Sequence, residues 1–281
     1  MFEGIIIKGV GGQYTVHTTE GQYICNARGL FRKQNISPIV GDRAEIKPGS
    51  DSTGTLMKIL PRRNELRRPK VANVDQVVMV FSAARPEFSF TMLDRYLFQA
   101  EYEQIEAAIC INKTDLEEEL PSKIVDLYTN AGYQAFAICA KTGDGLEELR
   151  EFLQGKTTVL AGPSGVGKSS IINRFAIEPT LATGEVSEKI GRGRHTTRHS
   201  EFVPILPSGY IIDTPGFSSL DPPDIPKAER AALFREFRPW LGQCKFRDCL
   251  HVSEKDCAVK EQVGISIDPR RYERYLEWVV E

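Results

Sequence analysis

The residues from Gly162 to Ser169 follow the spacing of a phosphate-binding loop, G-x-x-x-x-G-K-S. Glycines at this spacing let backbone N–H groups point at phosphate oxygens, and the helix that follows adds the positive end of its dipole. Lys168 is expected to contact the β- and γ-phosphates, which makes it a candidate catalytic residue, and the Ser169 hydroxyl is expected to bind Mg²⁺. The loop residues predicted to contact the nucleotide are Gly162, Pro163, Ser164, Gly165, Val166, Gly167, Lys168, Ser169 and Ser170.

Two further segments carry residue types that can recognise a guanine base. The first, Asn112-Lys113-Thr114-Asp115, ends in a carboxylate that can accept hydrogen bonds from guanine N1 and N2, which adenine cannot supply. The second, Cys139-Ala140-Lys141, follows the next predicted strand, and the Ala140 N–H is expected to meet guanine O6. Both segments predict that the bound nucleotide is GTP or GDP.

A fourth motif, Asp213-Thr214-Pro215-Gly216, follows an apolar strand and is typical of the segment that senses the γ-phosphate. Asp213 is expected to hold Mg²⁺ through water, and the Gly216 N–H is expected to contact the γ-phosphate. In ordinary GTPases the phosphate loop comes first and the base-reading motif comes late. Here the base-reading motif comes first, so the sequence predicts a circularly permuted GTPase domain.

Three of the six cysteines lie close together with a histidine in the spacing C-x4-C-x-H-x5-C. Three thiolates and one imidazole make a closed tetrahedral zinc site, which predicts one structural zinc ion. The alternative is three chance cysteines and a surface histidine. The other cysteines lie singly in apolar stretches, which favours a reducing compartment over disulfides. The predicted zinc ligands are Cys244, Cys249, His251 and Cys257.

The residue pattern changes twice along the 281 residues, which predicts three domains in an α/β protein. These are an OB-fold-like β-barrel over residues 1–68 that is expected to bind RNA, a circularly permuted P-loop GTPase domain over 69–220 and a helical zinc-binding module over 221–281. For the barrel, composition does not separate an OB-fold from an SH3-like barrel. The apolar strands of the second domain are typical of a parallel sheet buried on both faces.

Alternating apolar and polar residues predict strands, and apolar residues at helical spacing predict helices. The predicted strands are Gly4–Val10, Gln13–Thr18, Gln22–Arg28, Asp42–Lys47, Val77–Phe81, Ala107–Ile111, Gln134–Ile138, Thr157–Ala161 and Tyr210–Asp213. The predicted helices are Leu93–Ala100, Ser169–Ala176, Lys227–Phe237 and one that begins at Asp268-Pro269, with an apolar stripe at Tyr272, Tyr275, Leu276 and Val279.

The overall charge is nearly balanced, with 36 basic and 38 acidic residues, so any RNA-binding surface must be local. Basic runs at Arg62–Lys70 and Lys189–Arg198 are candidates, although such a run can equally be a solvated face. The N-terminus lacks the apolar core of a signal peptide, and no segment approaches about 18 apolar residues, so we expect a cytoplasmic protein without a membrane contact. Further candidate RNA contacts are Tyr14, Tyr23, Phe31, Lys245 and Arg247, of which the aromatic residues could equally be core.

Together these motifs resemble the circularly permuted GTPases, specifically the bacterial family that acts in biogenesis of the small ribosomal subunit. The resemblance covers essentially the whole chain. Its most specific parts are the motif order, the metal cluster and the basic segment Gly191-Arg192-Gly193-Arg194-His195-Thr196-Thr197-Arg198. It implies GTP hydrolysis stimulated by the small (30S) ribosomal subunit, binding to rRNA and a role in late subunit maturation.

Hydrolysis requires a group that orients water, and many GTPases place a glutamine directly after D-x-x-G. Phe217 stands there in this chain, so turnover by the protein alone is expected to be slow. His195 is the candidate catalytic group, and the alternative is a solvated or RNA-facing histidine. Either Thr196 or Thr197 is expected to complete the Mg²⁺ shell.

Three other functions stay open from the sequence. They are a guanine-nucleotide switch that acts on a protein effector without RNA, a P-loop kinase of a small molecule, and a GTP-dependent RNA-binding module that does not hydrolyse GTP. The kinase would not need Asn112 and Asp115. The protein is expected to be a monomer.

Overall fold

The computed structural model describes residues 1–27, 31, 37–67, 70–177, 201–213 and 225–280. Contacts divide the chain into two compact units, Met1–Val78 with Leu146–Ser219 and Met79–Gly145 with Leu220–Glu281. Each unit therefore draws on two separate stretches of the chain. The predicted domain boundaries, which follow chain order, stay a prediction.

The described strands are β1 (Phe2–Val10), β2 (Gln13–Thr18), β3 (Gly21–Ala27), β4 (Arg43–Pro48), β5 (Thr53–Ile59), β6 (Glu65–Arg67), β7 (Lys70–Ala72), β8 (Gln76–Ser82), β9 (Glu106–Asn112), β10 (Gln134–Ala137), β11 (Thr157–Ala161), β12 (Glu201–Pro204) and β13 (Tyr210–Asp213). The described α-helices are α1 (Phe90–Tyr102), α2 (Glu119–Asn130), α3 (Leu146–Leu153), α4 (Lys168–Phe175), α5 (Lys227–Arg230), α6 (Ala258–Glu261) and α7 (Pro269–Val280). None of these helices has the length and apolar character needed to cross a bilayer.

The first five strands close into a barrel in the order β1-β2-β3-β5-β4, with β4 returning to β1. The β3–β5 pair is parallel and the other pairs are antiparallel. This closed five-stranded arrangement confirms the predicted OB-fold-like barrel. Alternating residues point inward and are buried, as expected of strands with one face in a core. The fully buried residues are Ile6, Val16, Cys25, Ala44, Ile46 and Leu56.

Strand β5 was not predicted, because Gly54 interrupts its pattern. The structure explains this glycine by close approach: a Cβ at Gly54 would lie 2.9 Å from Cys25 Sγ and 3.2 Å from the Lys47 carbonyl oxygen. Phe31, a candidate RNA contact, packs in the barrel core. Tyr14 and Tyr23 are partly buried against the same core.

Two arginines of the basic run after the barrel, Arg62 and Arg63, form hydrogen bonds within the protein. Arg62 Nε and Nη2 donate to the two carboxylate oxygens of buried Asp42 at 2.6 and 2.9 Å. Arg63 Nη1 donates to Asp75 Oδ1 at 2.7 Å. These bonds connect the barrel to the segment that leads into β8, so for Arg62 and Arg63 a structural role is favoured over RNA contact.

The first unit contains the sheet order β8-β11-β13-β12, and the second contains β10-β9-β8, since the division falls within β8. β11 and β13 are parallel, as are β9 and β10. The prediction of a wholly parallel sheet is wrong at β12, which pairs antiparallel with β13. Residues 205–209 connect these two strands, and five residues are too few for a parallel crossover.

The C-terminal part of the second unit has an aromatic core. Helix α1 contributes Phe98, which stacks on Trp278 with ring centroids 4.3 Å apart. The predicted single helix over Lys227–Phe237 is wrong. Helix α5 ends at Arg230, and 3₁₀ turns follow at Ala231–Leu233 and Arg235–Trp240. The break lies at Phe234, whose extended backbone places its fully buried ring against the neighbouring aromatic residues.

Candidate nucleotide and metal sites

The predicted phosphate loop lies between β11 and α4, the strand-to-helix position that the motif requires. β11 is buried along its whole length, and α4 begins at Lys168. Gly162, Gly165 and Gly167 have φ values of 138°, 79° and 100°, which other residues adopt only with strain. This backbone can curl around an anion next to the N-terminus of α4.

The Lys168 ammonium is held against this loop by two hydrogen bonds. Its Nζ donates to the carbonyl oxygens of Gly162 and Pro163, each at 2.7 Å. These bonds fix the direction of a long side chain, so its charge lies where a lysine can contact phosphate oxygens. Ser169 and Ser170 follow in the first turn of α4 and are both partly exposed.

The backbone of β13 ends at Asp213 on the same edge of the sheet as the phosphate loop. The parallel register places Ile212 opposite Val159 of β11, so both strands end together. The side chain of Asp213 lies outside the described residues. So do the other predicted switch residues, His195, Thr196, Thr197 and Gly216.

In the second unit, Asn112 ends β9 and connects the two predicted base-reading segments. Its buried Oδ1 accepts a hydrogen bond from the Ala140 N–H at 3.0 Å, and its carbonyl oxygen accepts one from the Ala83 N–H at 2.8 Å. Lys113 has a left-handed φ of 66°, which turns the chain sharply after the strand. A contact from the Ala140 N–H to guanine O6 would therefore have to share or replace its bond to Asn112.

The Asp115 carboxylate is oriented by the second segment. Its Oδ1 accepts a hydrogen bond from Cys139 Sγ at 3.3 Å, and its Oδ2 lies 4.0 Å from Lys141 Nζ. The carboxylate is about one quarter exposed, at 27 %. A carboxylate in this setting can accept two N–H groups of a base edge. The structure thus brings together the two motifs that the sequence predicts to read guanine.

The loop that orients Asp115 depends on Gly145. Its φ is +70°, and a Cβ there would lie 2.3 Å from the Ala137 carbonyl oxygen. Gly143 offers a matched control, because its φ is +107° and a Cβ at this position would meet nothing within 4 Å. We expect Gly145→Ala to weaken guanine nucleotide binding about tenfold more than Gly143→Ala, since only the first adds a backbone collision to the φ strain. Titration with a fluorescent GDP measures this, and equal affinities of the two variants would contradict it.

The four predicted metal ligands converge, with their ligand atoms within 4.8 Å of one another. Cys244 Sγ lies 3.8 Å from Cys257 Sγ, and His251 Nδ1 lies 3.5 and 3.3 Å from these two sulfurs. A tetrahedral zinc ion with Zn–S bonds of about 2.3 Å separates its sulfur ligands by about 3.8 Å. The three cysteines and the histidine therefore fit a zinc ion.

Burial shifts the pKa of two members of this cluster, Cys249 and His251. It raises the pKa of Cys249 to about 12 and lowers the pKa of His251 below its ordinary value. At neutral pH the Cys249 thiol would then carry its proton and the His251 imidazole would be neutral. A zinc ion would displace the thiol protons, which couples metal binding to proton release.

Three residues that support the metal loop were not predicted as part of the site. Tyr272 Oη donates to the His251 carbonyl oxygen at 2.7 Å, and Tyr275 Oη donates to the Leu250 carbonyl oxygen at 2.6 Å. The Glu254 carboxylate accepts the N–H groups of Leu250 and Val252 at 2.7 and 2.8 Å. The sequence predicts the two tyrosines as part of an apolar stripe. Their hydroxyl groups, which a purely apolar stripe does not need, are the signal that could have indicated a role in supporting the metal loop.

Removal of one predicted zinc ligand should change the fluorescence emission of the tryptophans. Both tryptophans of the chain, Trp240 and Trp278, belong to the aromatic core beside the cluster. We expect Cys257→Ala to lose bound zinc and to red-shift the tryptophan emission, because the core loses its cross-link. Cys25→Ala in the barrel should keep both the zinc and the emission. Metal analysis that finds equal zinc in the two variants would contradict the assignment.

Comparison with known proteins agrees with the fold and the motifs. The family model described as RsgA GTPase matches residues 59–223, and the one described as RsgA N-terminal domain matches residues 3–56. A curated relative from Caldanaerobacter subterraneus subsp. tengcongensis, named "Small ribosomal subunit biogenesis GTPase RsgA", is 49% identical over 98% of this chain and 93% of its own.

Two crystal structures share the fold over nearly the whole chain. YjeQ from Thermotoga maritima has a TM-score of 0.84 and 38% identity, over 99% of this chain and 97% of its own. YloQ, described as a circularly permuted GTPase, has a TM-score of 0.81 and 39% identity, over 100% of this chain and 94% of its own. On the strength of its phosphate loop, its permuted motif order and these matches, the chain belongs to the RsgA GTPase family.

Proposed function

We propose that the protein hydrolyses GTP to GDP and phosphate with Mg²⁺, and that the small ribosomal subunit stimulates this hydrolysis. The observation that carries the proposal is the phosphate loop between β11 and α4, with the Lys168 ammonium bonded to the carbonyl oxygens of Gly162 and Pro163. Lys168 stabilises the charge on the β- and γ-phosphates, and the Ser169 hydroxyl binds the metal ion. The Asn112–Asp115 and Cys139–Lys141 segments select guanine.

The remaining catalytic roles are assigned to the switch residues. Asp213 holds Mg²⁺ through water, the Gly216 N–H contacts the γ-phosphate, and either Thr196 or Thr197 completes the metal shell. His195 acts in place of the missing glutamine. This assignment rests on the motifs, and it makes turnover slow until a partner orders the segment around His195.

The partner is the small ribosomal subunit and its rRNA, for which the protein acts as a GTP-timed factor in late maturation. Support comes from the curated relatives, which carry the name "Small ribosomal subunit biogenesis GTPase RsgA". We further assign one structural zinc ion to the cysteine–histidine cluster, a monomeric state and a cytoplasmic location. The protein contacts the subunit through the barrel and the zinc module. Arg62, Arg63 and Lys245 have carboxylate partners, so the RNA contacts are assigned to other side chains of these two parts, including the exposed Arg247.

Cosedimentation with purified small ribosomal subunits tests the choice of partner. Binding should be stronger with a non-hydrolysable GTP analogue than with GDP, and it should weaken as salt rises, because phosphate contacts release counterions. Large subunits serve as the control. Absence of nucleotide-dependent cosedimentation would favour a switch that acts on a protein effector instead.

A further inference from the structure

The barrel contacts β13 through one specific hydrogen bond. His17 Nδ1 of β2 and the Tyr210 hydroxyl at the start of β13 lie 2.9 Å apart. Their rings meet edge to face, with centroids 5.8 Å apart and planes at 83°. Both residues are partly buried, so this bond is shielded in part from competing water. The barrel is thus bonded to the strand that ends at Asp213.

The barrel contacts β12 as well, at a position where only a glycine fits. A Cβ at Gly41 would lie 2.9 Å from Phe202 Cζ and 2.1 Å from the Ala72 carbonyl oxygen. The Gly41 backbone is fixed in place, because its N–H donates to the Ile6 carbonyl oxygen and its carbonyl oxygen accepts from Asn73 Nδ2, both at 2.8 Å. The buried Phe202 ring therefore rests directly on a rigid part of the barrel.

The two contacted strands border the predicted switch segments. β12 follows the segment around His195, and β13 leads into Asp213–Gly216. β12 begins at Glu201, three residues after Arg198, and β13 ends at Asp213. The Phe202 and Tyr210 rings also contact each other, with centroids 5.9 Å apart. A displacement of the barrel would thus act on both strands together, through one cluster of rings. We call His17, Gly41, Phe202 and Tyr210 the barrel junction.

We propose that the barrel junction transmits binding of the small ribosomal subunit at the barrel to the switch segments, with Tyr210 as a positioning residue for stimulated hydrolysis. This rests on the proposed function and adds its route of regulation. Tyr210 pairs with Thr157 at the start of both strands, three residues and about 10 Å from Asp213, so it acts through β13 and not on the nucleotide. The His17–Tyr210 interaction is a hydrogen bond whose loss loosens the connection without removing a ring.

The test is Tyr210→Phe, which deletes the hydroxyl and keeps the ring. Subunit-stimulated kcat should fall about fivefold, the effect of losing one neutral hydrogen bond. The basal kcat, the KM for GTP and the half-saturating subunit concentration should stay unchanged, a split that general destabilisation would not produce. Tyr23→Phe is the matched control, since this barrel tyrosine packs on Phe2 instead.

A second variant removes the same hydrogen bond from the other side. His17→Phe should give the same loss, and the double variant should lose no more than either single one, because both remove the same bond. If Tyr210→Phe kept the full stimulation of the wild type, the proposed role of the barrel junction would be overturned, while the proposed function would stand. An equal loss of basal and stimulated turnover would also overturn it. A wild-type protein that subunits do not stimulate would overturn both.

Discussion

Asp115→Asn is expected to lower the affinity for GTP on the order of 10³-fold, because a site built to accept guanine N–H groups would present an amide N–H₂ in their place. The side-chain oxygen of the asparagine can still accept from Cys139, so the new amide nitrogen would face the base. Xanthosine triphosphate carries a carbonyl oxygen where guanine carries its amino group, so the affinity of the Asp115→Asn variant for xanthosine triphosphate should rise. Competition titrations with the two nucleotides measure both changes.

Asp144→Asn is the control for this exchange. Asp144 is an exposed carboxylate of the same loop, and its Oδ2 accepts a hydrogen bond from the Thr142 hydroxyl. The Asp144→Asn variant should leave the choice of base unchanged, because the Asp144 carboxylate contacts Thr142 on the exposed side of the loop. An Asp115→Asn protein that keeps its GTP affinity would remove Asp115 from base recognition.

Arg271→Met is expected to cost about 3–5 kcal/mol in the free energy of unfolding of the C-terminal region, because it leaves buried carboxylates without their partner. Arg271 is fully buried on α7 and contacts Asp94 of α1 and Glu236, which are buried as well. Asp94 also accepts from the Tyr128 hydroxyl at 2.8 Å. Urea unfolding followed by tryptophan emission reports on this region.

Two comparisons separate the charge effect from packing. The double variant Arg271→Met/Glu236→Leu should recover part of the loss, since Asp94 keeps its contact with Arg274. Lys123→Ala breaks the exposed pair with Glu119 and should cause no measurable change. If Arg271→Met unfolded at the same urea concentration as the wild type, the buried network would contribute nothing to the attachment of α7.

Arg271 also shows where the sequence pattern stops being informative. The predicted apolar stripe of α7 included Tyr272 and Leu276, but both are only partly buried. The most buried side of the helix instead runs through Arg271, Tyr275, Trp278 and Val279. An arginine on a helix predicts exposure, and the carboxylates that allow its burial come from other elements that a single periodic pattern does not contain.

The nucleotide motifs were predictable because their chemistry depends on local order. The phosphate loop needs a strand before it and a helix after it, and both were expected within one residue of their observed ends. The metal cluster was predictable for the same reason, since its four ligands lie within fourteen residues, 244–257. In contrast, the His17–Tyr210 bond joins residues 193 positions apart, and neither residue type indicates the other.

The most direct measurement is the rate of phosphate release from GTP and from ATP, each with and without purified small ribosomal subunits. GTP should be hydrolysed slowly by the protein alone and many times faster with subunits, while ATP should be hydrolysed in neither case. Equal rates for the two nucleotides, or a GTP rate that subunits leave unchanged, would contradict a guanine-specific hydrolase that answers to the small subunit.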